Sequence, residues 1–145
     1  MKVEVQIDEN IKETKLIIYT DKITSEISDI IEKLSNKTNV IGFIDEQTYI
    51  IKENDIEAVY SENGKVYIKT VENIYQSKKR LYEMEEILSK NKFIRISNSE
   101  IINFDKVKNL NSKFIGTIAI NFISGYSTYV SRRYIPKIKD FLNKI

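Results

Sequence analysis

With 145 residues, 41% apolar and 30% charged, the chain is long enough to bury a core as one domain, or as one domain with a small extension. It contains neither cysteine nor histidine, which excludes disulfides, thiolate or imidazole metal sites, and Ser-His or Cys-His catalysis. No apolar run approaches the roughly 18–20 residues that cross a bilayer, and MKVEVQIDEN is no signal peptide, so a cytoplasmic protein without membrane insertion is expected.

Met1–Ile7 alternates through Val3, Val5 and Ile7, and Leu16–Tyr19 is a short apolar run; both predict strands. Thr24 is placed to cap a helix over about Ser25–Ser35, where Ile23, Ile27, Ile30, Ile31 and Leu34 follow the helical repeat. Val40–Ile44 and Thr48–Ile51 predict a strand pair joined across Asp45-Glu46-Gln47. Together these elements predict a small α/β module over residues 1–52. Composition and charge change at Asn54-Asp55, the expected seam.

From Ile56 the pattern is nearly all strand. Ile56–Ser61 and Lys65–Thr70 flank Asn63-Gly64, the pair that a type I′ hairpin selects because both central residues take positive φ. Ile74–Gln76 continues the sheet. Ser77 is read as the cap of a helix over about Lys78–Leu88, with Leu81, Met84 and Leu88 on one face. Further strands are predicted at Lys92–Ile96, Ile101–Asn103, Lys106–Asn111, Thr117–Phe122 and Tyr126–Val130, with turns at Gly116 and Ser124-Gly125. A last helix runs to about Lys144. Ser131 suits its cap whereas Pro136 suits a first turn, so a start near Ser131 or near Ile135 stays open.

The net charge of +2 conceals a gradient. Residues 1–55 carry 7 Lys/Arg against 12 Asp/Glu, and residues 91–145 carry 10 against 3. Charge alone divides evenly between a polyanion partner and a solvated surface. Within the basic part, FIRISNSEIIN (93–103) places Ser97-Asn98-Ser99 between apolar runs, and YVSRRYI (129–135) places Arg132-Arg133 at a strand–helix junction. Arg133 carries a two-pronged donor for guanine O6 and N7. Asn98 both donates and accepts, which suits adenine or a mixed minor-groove edge. Ser99 and Ser131 are short hydroxyls suited to phosphate oxygens.

Each of these residues has a plainer reading. Asn98 alone is equally an Asx turn. Arg132 and Arg133 can pair with the acidic N-terminal piece, Arg95 is structural or a phosphate contact, and Lys78 and Lys79 read as a solvated helix start. Tyr60, Tyr67, Phe104 and Phe122 lie in strand runs and read as sheet core ahead of base-stacking platforms. There is no glycine-rich phosphate loop and no GxSxG, and the neighbours Glu85-Glu86 and Asp45-Glu46 point apart. Neither an enzyme nor a cofactor is expected.

The order of DIEAVYSENGKVYIKT, RLYEMEEIL, FIRISNSEIINFDKVKNL, GTIAINF and YVSRRYIPKIKDFL, from about Ile56 to Leu142, resembles the LytTR DNA-binding domain of bacterial response regulators and related transcription factors. The resemblance implies a mostly β (α+β) fold with flanking helices: an elongated antiparallel domain over residues 53–145 that follows the small α/β module. In such a domain loops, not a helix, enter the DNA grooves. It implies a sequence-specific regulator of transcription on double-stranded DNA, acting as a homodimer on repeated half-sites. Carried onto this sequence, its DNA-binding loops fall at Ser97 and Asn98 with Ser99 beside them, and at Arg133 with Ser131 and Arg132 beside it. The first hairpin maps loosely, near Asn63 and Lys65. Family members often carry histidine where this chain has Ser97, which keeps open a protein-interaction or sensor module with a degenerate DNA surface. Residues 1–52 are too few for the receiver domain of about 100 residues found upstream in many such proteins. Their isoleucine-faced helix points to dimerisation or a regulatory role.

Overall fold

A computed structural model describes residues 1–35, 38–112 and 117–144, and the chain forms two compact units, residues 1–36 and 37–145. In the first unit, helix α1 spans Ser25–Ser35. Thr24 Oγ1 accepts from the Ile27 N–H at 3.3 Å, the expected cap. The strands expected at Met1–Ile7 and Leu16–Tyr19 do not form. Alternation defines a face, but a strand also needs partners for its backbone groups and a core for that face. Val3, Val5 and Ile7 have neither and stay exposed, Ile7 at 90%.

The second unit opens with β1 (Asn39–Ile44) and β2 (Gln47–Lys52), an antiparallel hairpin that turns through Asp45 at φ 52°. It continues with β3 (Ile56–Glu62), β4 (Lys65–Thr70), β5 (Ile74–Ser77), α2 (Leu81–Ile87), β6 (Phe93–Ser97) and β7 (Glu100–Asn103). Then come β8 (Val107–Asn111), β9 (Ile118–Phe122), β10 (Ser127–Val130) and α3 (Ile135–Asn143). The expected turn residue Gly116 lies outside the described residues. One sheet has the order β2-β1-β5-β4-β3-β7-β6, and a second has the order β10-β9-β8. This is the mostly β class with flanking helices. β1 joins the large sheet through Phe43 opposite Gln76. Residues 39–52 are therefore part of that sheet, and the two units divide before β1 instead of near Asn54-Asp55.

The central strands are buried on both faces, and period-two alternation splits their side chains between two cores. Val59, Phe93 and Ile101 join Ile68, Leu81, Met84 and Leu88 on the side of α2. Ala58, Ile94, Ile96 and Ile102 join Ile120, Phe122, Val130 and Ile138 on the side of the small sheet and α3. At the periphery Gly42 is pressed against Tyr75: a Cβ there would lie 2.7 Å from both Tyr75 Cβ and Ile51 Cδ1. That close approach requires glycine.

Two helix starts differ from a simple cap rule. Ser77 Oγ accepts from the Lys79 N–H at 3.0 Å, so it shapes the preceding loop and does not cap α2. The helix begins after Arg80, whose N–H donates to Glu83 Oε1 at 3.0 Å, one half of a capping box. α3 begins at Ile135 with Pro136 in its first turn, after a 3-10 turn at Arg132–Tyr134.

A buried carboxylate ties the two sheets. Glu100, 8% exposed, accepts the Tyr126 hydroxyl at 2.6 Å and the Thr128 hydroxyl at 2.5 Å, so β7 is bonded to β10 and to the turn before it. Burial first, and then the bond to Glu100, push the Tyr126 phenol well above its ordinary value of 10.0. A raised value in the folded state means that the phenol's contribution to stability is full below pH 10 and is lost as pH climbs towards the folded value. Tyr126→Phe should lower the unfolding free energy by about 1–3 kcal/mol at neutral pH. Denaturant titrations of the variant should also show a shallower decline above pH 10 than those of the parent.

Candidate nucleic-acid interface

Antiparallel register brings three separate segments to one end of the large sheet. Glu62 lies opposite Lys65, so Asn63 and Gly64 form the tip of the β3–β4 hairpin, with φ of 51° and 77°. Both signs are those of the expected type I′ turn. Tyr60 lies opposite Glu100, and the Ser61 N–H donates to the Ser99 carbonyl at 2.8 Å. These bonds seat the β6–β7 turn beside the hairpin. From the other side, the Ser131 N–H and Oγ both donate to the Ile96 carbonyl, at 3.0 and 3.3 Å. The β10–α3 loop is thereby held against the end of β6.

Asn63, Lys65, Asn98, Ser99, Ser131, Arg132 and Arg133 are exposed, and Ser97 is half-buried. Ser97 Oγ accepts from the Ser99 N–H at 3.1 Å and lies 3.3 Å from Ser99 Oγ, so this hydroxyl shapes the turn. Arg95 braces the same turn from behind. Its Nη2 donates to the Asn98 carbonyl at 2.6 Å and its Nε to the Ser97 carbonyl at 3.0 Å, while Nη1 lies 3.4 Å from Glu85 Oε1. Lys137 is 3.6 Å from the other Glu85 oxygen. Of the two roles open to Arg95 in the sequence, the structural one is occupied.

The Tyr134 hydroxyl donates to Asn98 Oδ1 at 2.9 Å and so links the β6–β7 turn to the β10–α3 loop. Nothing in the sequence pattern signals this bond, because an aromatic residue at a helix start is ordinary. Among the described residues, no carboxylate lies within ion-pair distance of Arg132 or Arg133. Lys78 extends over the Phe43 ring, 4.5 Å from its centroid. It caps an aromatic side chain at the loop before α2.

The model of the LytTr DNA-binding domain family matches residues 46–143. The chain belongs to the LytTR family. It is 32% identical, over 99% of both chains, to uncharacterized HTH-type transcriptional regulators of Staphylococcus aureus strains NCTC 8325 / PS 47 and COL. Its fold is similar to the solved LytTr DNA-binding domain of a Bacillus cereus protein described as a methyl-accepting/DNA response regulator. That match has a TM-score of 0.71 at 23% identity and covers 73% of this chain and 97% of that one. In this LytTR chain α1, α2 and α3 are separated from one another by strands, so no helix-turn-helix pair exists among the described residues. The polar surface is carried by turns at the end of a sheet.

Arg95→Ala should lower the unfolding free energy by about 1–3 kcal/mol, since two carbonyls lose a charged donor. Hydrogen exchange followed by NMR should show the amides of residues 97–99 opening faster than those of β3 and β7. Unchanged protection there would mean that the turn holds its shape without Arg95.

Proposed function

We propose that this LytTR chain is a cytoplasmic regulator of transcription that binds duplex DNA sequence-specifically through the turns at one end of its seven-stranded sheet. One observation carries the reading. Arg132 and Arg133, exposed and without an ion-pair partner among the described residues, stand beside a braced polar turn at Ser97–Ser99, next to the Asn63–Lys65 hairpin tip. In this reading Arg133 gives paired N–H donors to guanine O6 and N7, and Asn98 meets a second base edge. Lys65, Arg132 and Ser99 hold phosphate oxygens, which position the protein without reading sequence. Asn63, Ser97 and Ser131 line the same surface and keep its turns in shape. The names of the Staphylococcus aureus relatives support a role in transcription.

Gel shifts on the DNA upstream of the protein's own gene, at several salt concentrations, test the reading. Log K should fall linearly with log salt, with a slope near −0.9 per neutralised phosphate. No shift even at low salt would sink it. Arg133→Ala should weaken binding to the specific site by about 1–3 kcal/mol and relax discrimination at one base pair. A uniform loss on unrelated duplexes would instead assign Arg133 to phosphate.

Homodimerisation on repeated half-sites is part of the proposal, with the apolar stripe Ile27, Ile30, Ile31 and Leu34 of α1 as the contact. Analytical ultracentrifugation of residues 1–145 should give a dimer and of residues 37–145 a monomer. The same association state for both would rule out that contact.

A further inference from the structure

In the reading above, Asn98 meets DNA with a side chain that is already half engaged, since its Oδ1 accepts the Tyr134 hydroxyl at 2.9 Å. Both ends of this bond are held in place. The Tyr134 N–H donates to the Ser131 carbonyl at 2.9 Å, Ser131 is bonded twice to the Ile96 carbonyl, and the Tyr134 side chain packs against the second core. The Asn98 carbonyl is gripped by Arg95 Nη2 at 2.6 Å. A phenol hydroxyl donates strongly and accepts weakly, because a lone pair is shared with its ring. The amide oxygen is the acceptor end of asparagine and Nδ2 the donor end. The pair therefore favours the rotamer with Oδ1 towards Tyr134 and the two Nδ2 protons turned away from it.

Resting on that reading of Asn98 as a base contact, we propose that Tyr134 is a positioning residue that determines specificity. By holding one lone pair of Asn98 Oδ1 it fixes the amide with Nδ2 towards the DNA, so this position selects first for a hydrogen-bond acceptor on a base edge. An unrestrained asparagine pairs with adenine by giving to N7 and taking from the N6 amino group. With one of its two lone pairs taken by Tyr134, Oδ1 keeps a single acceptor site whose direction that bond sets, and the N6 half of the pairing becomes secondary to the Nδ2 contact. Ring nitrogens and carbonyl oxygens remain as targets: adenine N7, guanine N7 or O6, and thymine O4 in the major groove. Because the amide is oriented before DNA arrives, its ordering adds nothing to the cost of binding.

The test uses the full chain and the duplex that it selects from a randomised pool. Dissociation constants are measured on that duplex, on its single-base-pair variants, and on analogues that lack one ring acceptor or one exocyclic amino group. Asn98→Ala identifies the base pair that depends on Asn98, where the wild type should discriminate by roughly ten- to a hundredfold. Tyr134→Phe keeps the ring and should lose most of that discrimination at the same pair. The double variant should lose no more than Asn98→Ala does alone. The analogue series needs only the wild-type chain: removing the acceptor should cost most of what Asn98→Ala costs, and removing an amino group should cost clearly less.

Undiminished discrimination by a folded Tyr134→Phe would overturn the inference while DNA binding stands. So would a loss on removing an adenine amino group as large as that on removing the ring acceptor, or an Asn98→Ala variant that changes no base pair. Failure to enrich any duplex, with no salt-dependent binding, would instead bring down the DNA-contact reading and this inference with it.

Discussion

A strand covered on both faces has to be apolar on both, and in this fold β3, β6 and β7 meet that condition with adjacent residues. Ala58 and Val59, Ile94 and Phe93, and Ile102 and Ile101 each send one side chain to either core. Two layers are thereby fixed to one set of backbones. A slip of one residue in any of these strands would exchange its two faces, and in β6 Arg95 would then point where Ile94 and Ile96 now pack. The register is therefore strongly specified, and everything at the strand ends inherits it.

The polar surface is the first beneficiary. Glu100 is buried at the start of β7, where its carboxylate takes the hydroxyls of Tyr126 and Thr128. The residue before it, Ser99, has its carbonyl bonded to the Ser61 N–H. The bond between the sheets and the bond that ties the β6–β7 turn to β3 are thus one residue apart. Arg95, rooted in β6, secures the other side of the same turn. Asn98 and Arg133 consequently project from turns that are tied to rigid strands at several points, the arrangement in which a recognition surface keeps its geometry.

Much of this was legible in the sequence. The Asn63-Gly64 hairpin followed from the positive φ that the turn needs, and Thr24 marked the start of α1, while Pro136 pointed to one of the two starts left open for α3, the one the fold adopts. The errors share a cause. Val3, Val5 and Ile7 alternate as strand residues do, but alternation is silent about whether a partner strand exists. Ser77 looked like a cap because serine often is one, yet its hydroxyl met the Lys79 N–H first and the helix waited for Arg80 and Glu83. The strand pair of residues 39–52 was legible as a pair. Its place in the larger sheet rests on β1 meeting β5, a pairing between distant segments.

The sequence by itself determined the strands of the second unit, the turns at Asn63-Gly64 and Ser124-Gly125, the basic bias of residues 91–145 and the family, because each depends on neighbours along the chain or on the order of motifs. Only the tertiary structure decided which polar groups are already spent. Asn98 reads as a side chain free to turn either end outwards, until Tyr134, remote from it in sequence, bonds its oxygen and orients the amide. Arg95 reads as structural or as a phosphate contact until it is found holding two carbonyls of the adjacent turn. Hydrogen-bonding capacity is a property of a residue, but its availability is set by whatever the fold brings within about 3 Å of it.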